Sequence, residues 1–166
     1  MGDNGKAAVW ADIADLVPWD QNPRDNKSAI KVVADSIQRF GFASPIVARQ
    51  ADGMVIAGHT RLEAAKSLGL DRVPVRYLDL SLEDAKMLAL ADNKLGEIAD
   101  WDNDMLASII QDFRAQDLDV AGLGWNEEEL DSMIFASALP DTDSEISEEE
   151  ELGDPAPTCP HCGGVL

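Results

Sequence analysis

Apolar residues in the first third of the chain recur at helical intervals. In "SAIKVVADSIQRFGF", Ile30, Val33, Ile37 and Phe40 share one face, and Gly41 supplies a C-terminal stop, which predicts a helix. The period then changes. "PIVARQ" from Pro45 reads as a strand, "ADG" (Ala51 to Gly53) as a hairpin-type turn, and "MVIAG" as the returning strand. The next helix carries Leu62, Ala65 and Leu68 on one face and ends at Gly69. In "VPVRYLDL", Val73, Val75 and Tyr77 alternate against Pro74, Arg76 and Leu78, the pattern of a third strand. Ser81 with Asp84 three residues later resembles a capping box and opens the helix "LEDAKMLALADNKLG". Met105, Ile109 and Phe113 predict a further amphipathic helix after Trp101, and Asn126 with Glu129 caps a last one, "EEELDSMIFA". Short strands, a hairpin and several helices together predict an α+β domain.

Composition changes this picture mainly at the C-terminal end. The 166 residues suffice for one domain with a real core, and an apolar fraction of 45% supports folding. After Pro140 the text collapses to "DTDSEISEEEELGDPAP", which predicts a disordered acidic linker over 139–157. Apolar runs are only a few residues long, too short for a membrane span. The stretch "MGDNGKAAVWADIADL" lacks a charged-then-apolar signal pattern, so a cytoplasmic location is expected.

The net charge of −19 is unevenly spread. From Arg24 to Arg76 nine bases face five acids, a net +4, whereas from Asp100 onward 18 acids face one base, Arg114. The first half is suited to meet a phosphate; the last third is not. Direct DNA contact is therefore expected to be weak and confined to the basic half.

The stretch with chemical promise is "MVIAGHTRLEAAKSLGL". A strand stops at Gly58, His59, Thr60 and Arg61 follow, and a helix begins at once. A helix start exposes backbone N–H groups without internal partners, where the helix dipole favours an anion. Gly58 lets the chain turn sharply, and Arg61 in the first turn can fork onto two phosphate oxygens. This is a candidate phosphate cradle. Read without further context, the same residues also suit a plain turn with a solvated arginine.

Four separated stretches appear in a telling order: "NPR" (Asn22 to Arg24), "SIQRFGFASPIV" (Ser36 to Val47), "DGMVIAGHTRLEAAKSLGLDRVPV" (Asp52 to Val75) and "LADNKLGE" (Leu90 to Glu97). Over roughly residues 12 to 100 this resembles the ParB/sulfiredoxin superfamily, specifically the ParB-like N-terminal (ParB-like nuclease) domain. The wording is most similar to phage and mobile-element versions. The resemblance implies an α+β fold with a mixed sheet and surrounding helices, spanning 8–100 as a nucleotide-binding domain. An acidic helical extension over 101–138 follows. It also implies binding of CTP or ATP with magnesium. The phosphate and nucleotide positions would be Arg24, Ser44 in the Gly41–Pro45 loop, Gly58, His59, Thr60, Arg61 and Asn93. Asp92 and Asn93 match the pair associated with the metal, and hard oxygens suit magnesium. His59 and Asp92 are the candidate catalytic residues, for hydrolysis, phosphotransfer or nuclease action.

Three departures narrow the expectation. His59 stands where sulfiredoxins carry their nucleophilic Cys, and no Cys precedes residue 159, which excludes that thiol chemistry. Partition ParB proteins have Glu at the position of His59, and their third motif usually has Arg where Gly96 stands here. The region after the domain is acidic, which argues against a DNA-reading helix-turn-helix.

The end of the chain, "CPHCGG" within 158–166, reads as half of a zinc ribbon, with Cys159 and Cys162 as two ligands. Zinc wants four, so a homodimer could complete the site; a lost site or a reduced end is the alternative. The expected function is a nucleotide-binding protein of DNA modification or a similar DNA transaction. The rivals are an enzyme of the same superfamily and a non-catalytic adaptor that docks a DNA methyltransferase or another basic partner.

Overall fold

The structure is a computed structural model, and it describes residues 7–120 and 122–138. The linker expected over 139–157 and the cysteines Cys159 and Cys162 lie outside the described residues. The elements run β1 (Val9–Asp12), α1 (Ile30–Phe40), β2 (Ile46–Arg49), β3 (Val55–Ala57), α2 (His59–Ser67), β4 (Arg72–Leu78), α3 (Leu82–Leu95), α4 (Asn103–Ala115) and α5 (Glu127–Ser137). Short 3₁₀ turns occupy Ile13–Asp15 and Lys27–Ala29. This is the mixed α/β architecture expected.

The four strands form one sheet in the order β1-β4-β2-β3. β2 pairs antiparallel with β3 through the hairpin and parallel with β4, and β1 lies antiparallel on the outer edge of β4. β1 is not visible in the hydrophobic pattern. It is short and largely exposed, so its pairing with β4 rather than a buried face defines it.

Alternation along β4 sends its side chains to two cores. Val73 and Val75 are fully buried with Ile46, Ala48, Val55, Leu62 and Ala65, on the side that α2 covers. Leu78 turns to the other side, against Met54, Ile56, Ala85 and Ala89 of the hairpin and α3. Residues buried on both faces of the sheet explain why β3, Val-Ile-Ala, is buried at every position.

Helix ends follow local chemistry. Ser81 Oγ accepts from the Asp84 N–H at 3.0 Å, while the Asp84 carboxylate accepts from the Ser81 hydroxyl. At α5 the capping box is complete: Asn126 Oδ1 accepts from Glu129 N–H, and Glu129 Oε2 accepts from Asn126 N–H, both at 2.8 Å.

Two helix faces differ from the expected ones. In α1 the buried residue is Ala34, and Phe40 is 57% exposed with Arg39 over its ring at 4.8 Å. In α4 the buried positions are Leu106, Ala107 and Ile110, with Leu106 and Ile110 packed with Val120 and Leu130; of the expected face Phe113 packs against the same cluster, while Met105 and Ile109 face outward. The helix carries apolar residues on two adjacent stripes, and periodicity alone could not tell which one α5 would cover. Residues of α4 and α5 make this third core between themselves, apart from the sheet.

Candidate functional site

The turn at the end of β3 has the conformation that its sequence demands. Gly58 sits at φ 96° and ψ 26°, the left-handed region that a side chain resists, and caps α2. The first intrahelical bond of α2 runs from the Leu62 N–H to the Gly58 carbonyl at 2.9 Å. The amides of His59, Thr60 and Arg61 therefore have no intrahelical partner and crowd the positive end of the helix.

This turn opens on a cleft of about 670 Å³. Arg24, Ser44, Gly58, His59, Thr60, Arg61, Asp92 and Asn93, all eight positions singled out from the sequence in this region, line it. They come from four parts of the chain: the loop before α1, the loop before β2, the start of α2 and the end of α3. Val33 and Ile37 of α1 and Phe42 supply an apolar wall, and Asn22, Asp25, Asn26 and Ser28 add polar groups near Arg24. Phe42 lies in the Gly41–Pro45 loop and Asn22 in the "NPR" stretch already noted, whereas Val33, Ile37, Asp25, Asn26 and Ser28 were not singled out for this site. Val33 and Ile37 fit a core face equally well, and the only signal for Asp25, Asn26 and Ser28 is their nearness to Arg24.

Both arginines of the cleft are already engaged. Arg61 curls back across the turn, and its Nη1 donates to the Pro45 carbonyl at 2.9 Å, tying α2 to the Gly41–Pro45 loop. Burial pulls the Arg61 pKa down from its ordinary value, and the charge of Asp92 acts against that pull. Arginine stays cationic regardless. Arg24 Nη1 donates to Asn93 Oδ1 at 3.1 Å, joining the loop before α1 to the end of α3 across 69 residues. Asn93 Nδ2 in turn donates to the Ala89 carbonyl at 2.9 Å.

His59 is half-buried, and burial lowers its pKa, opposed by Glu63. Its Nε2 accepts from the Trp19 backbone N–H at 3.4 Å. With Nε2 accepting, the neutral ring carries its proton on Nδ1, which is then a donor. The indole Nε1 of Trp19 is buried without a hydrogen-bond partner among the described residues.

Among the described residues no cluster of three or more His, Cys, Asp or Glu side chains is placed to hold a metal. A magnesium ion needs less, since it keeps waters and takes one or two carboxylates plus phosphate oxygens. Asp92, exposed on the cleft, meets that requirement. The Asn93 oxygen is held by Arg24.

Comparison with known proteins gives three findings. The family model described as the ParB N-terminal domain matches residues 4–94. Among curated proteins, the chain is 38% identical over 81 residues to the probable plasmid-partitioning protein ParB of Thermus thermophilus, covering 48% of this chain and 27% of that protein. It is 34% identical over 71 residues to the ParB-like nuclease domain-containing protein YnaK of Escherichia coli, covering 42% of this chain and 80% of that one. The chain thus spans only about a quarter of the partitioning relative's length (27%). Among solved structures, the C-terminally truncated chromosome-partitioning protein ParB of Caulobacter crescentus, complexed with CTP-γ-S, superposes with a TM-score of 0.68 at 22% identity. That match covers 82% of this chain and 81% of the other, and it shows the shared fold. No described helix is long and apolar enough to cross a membrane.

Proposed function

Because the chain belongs to the ParB N-terminal domain family, we propose that its cleft binds a nucleoside triphosphate, CTP or ATP, with magnesium. The observation that carries this reading is the meeting of Arg24, Ser44, the Gly58–Arg61 turn, Asp92 and Asn93 around one cleft, with an apolar wall opposite. Phosphates would lie on the free amides of α2, with Arg24 and Arg61 turning some of their donors toward them. The base would lie against Val33, Ile37 and Phe42. His59 enters as a neutral donor through Nδ1. Magnesium, when bound, would neutralise phosphate charge beside Asp92, with Asn93 free to join once Arg24 turns away. The Caulobacter relative was solved with a CTP analogue, which supports the same reading.

The setting we infer is a DNA transaction, since the Thermus relative is a probable plasmid-partitioning protein. The resemblance of the motifs to phage and mobile-element proteins favours DNA modification within that class. A homodimer is compatible with this role.

Calorimetric titration with each of the four nucleoside triphosphates, with and without magnesium, tests the proposal. At least one should bind saturably, and more tightly with magnesium. Arg61→Ala should weaken it about tenfold to a hundredfold, the loss of a charged hydrogen bond. Arg61→Lys should also lose affinity, since an ammonium cannot reproduce the fork. Absence of saturable binding to the parent chain, or equal affinity in Arg61→Ala, overturns the assignment.

A further inference from the structure

Helix α4 has more apolar surface than its contact with α5 uses. Leu106 and Ile110 turn toward Leu130 of α5 and are buried, as is Ala107. Met105 and Ile109 stand beside that stripe, 62% and 42% exposed. With about 100° of rotation per residue, these two share a face with Asp112 one turn on, and Asp102, the N-cap, stands at the helix start with one carboxylate oxygen accepting from the Met105 N–H at 2.9 Å. Trp101, 65% exposed, precedes the helix by four residues from Met105, and its ring meets Trp125 edge-on at 5.2 Å. The outward stripe is therefore Trp, Met and Ile bracketed by carboxylates. An apolar stripe with a polar rim marks an interaction surface.

The charge around it selects the partner. Residues 100–138 hold ten carboxylates and one base, Arg114. All ten acidic residues are exposed, and Arg114 is bound to Glu127 and Asp131 at 2.8 Å each. A second copy meeting the same face would set two strongly negative surfaces together. Nucleic acid and anionic membranes are repelled for the same reason. A cationic partner is attracted, and its apolar residues must recur at helical spacing to match Met105 and Ile109.

We propose that the Asp102–Met105–Ile109–Asp112 face of α4, with Trp101, docks a basic amphipathic helix of a partner protein. Apolar side chains of that helix cover Met105, Ile109 and Trp101. Its Lys or Arg residues, one turn to either side, pair with Asp102 and Asp112. This surface is separate from the cleft, and the inference stands whether or not a nucleotide binds there.

The probe is a fluorescent synthetic peptide of Leu, Ala and Lys, roughly 18 residues and five helical turns long, with Leu on one face. A permuted peptide of identical composition removes the helical period and keeps the charge. Fluorescence anisotropy with the full chain should show saturable binding of the amphipathic peptide, weakening as salt rises. The permuted peptide should bind at least about tenfold more weakly, and the double variant Met105→Ser/Ile109→Ser should bind the amphipathic one at least about tenfold more weakly. Both substituted residues are exposed, so the melting temperature should hold. If it drops, Asp112→Lys is measured instead, with the same weakening expected. Equal binding of the two peptides, unchanged binding in the variants, or no binding at all overturns the proposal. So does a self-association of the full chain in sedimentation that Ile109→Ser abolishes.

Discussion

The Gly58 turn can be tested through the one side chain that leans on it. A Cβ placed on Gly58 would lie 3.1 Å from Arg61 Nε, 3.2 Å from Nη2 and 3.3 Å from Cζ. Gly58→Ala therefore acts twice. An alanine at φ 96° carries the cost of the left-handed region, about 1–2 kcal/mol. Its methyl group also displaces the guanidinium from the Pro45 carbonyl, 2.9 Å away, and a hydrogen bond to a charged group is worth roughly 1.5–3 kcal/mol. Arg61 is half-buried, so solvent replaces part of that bond, and the lower end is expected for it. Together the single substitution should cost about 2–4 kcal/mol. Arg61→Ala loses the same hydrogen bond and should cost at least about 1.5 kcal/mol. The double variant loses it only once, so the cost of Gly58→Ala in the Arg61→Ala background should fall to the backbone share, about 1–2 kcal/mol. Urea unfolding of the four proteins, followed by tryptophan fluorescence, measures the cycle. Strict additivity of the two substitutions would refute the contact between Gly58 and Arg61 as the source of the effect.

Two further outcomes follow from named contacts. Burial lowers the His59 pKa below its ordinary 6.5, so the unfolded chain takes up a proton more readily than the folded one. The stability this contributes is complete above pH 6.5 and is lost as pH falls from there toward the lower folded value; His59→Gln should flatten that part of a stability–pH curve, and an unchanged slope would count against it. Asn126→Ala removes the side-chain acceptor of the α5 capping box and should destabilise the α4–α5 pair by about 1 kcal/mol, read from the unfolding of the Trp101–Trp125 signal, whereas no shift would show the cap to be idle.

Local signals were legible in the chain wherever the physics is local. Ser81 and Asn126 cap helices because a side-chain oxygen reaches an amide only three residues on, and the hairpin turn and the left-handed Gly58 likewise need no distant partner. The order of the four motifs sufficed to bring eight candidate positions to attention, and they line a common cleft. The tertiary structure alone decided what those side chains touch. Arg61 reaches Pro45 across 16 residues, His59 accepts from Trp19 across 40, and Arg24 meets Asn93 across 69. No period in the sequence encodes such pairs, because each exists only after sheet and helices have packed. The same holds for β1, defined by the hydrogen bonds of β4, and for α4. Its sequence offers two neighbouring apolar stripes, and only the packing of α5 buries Leu106 and Ile110 while leaving Met105 and Ile109 to solvent.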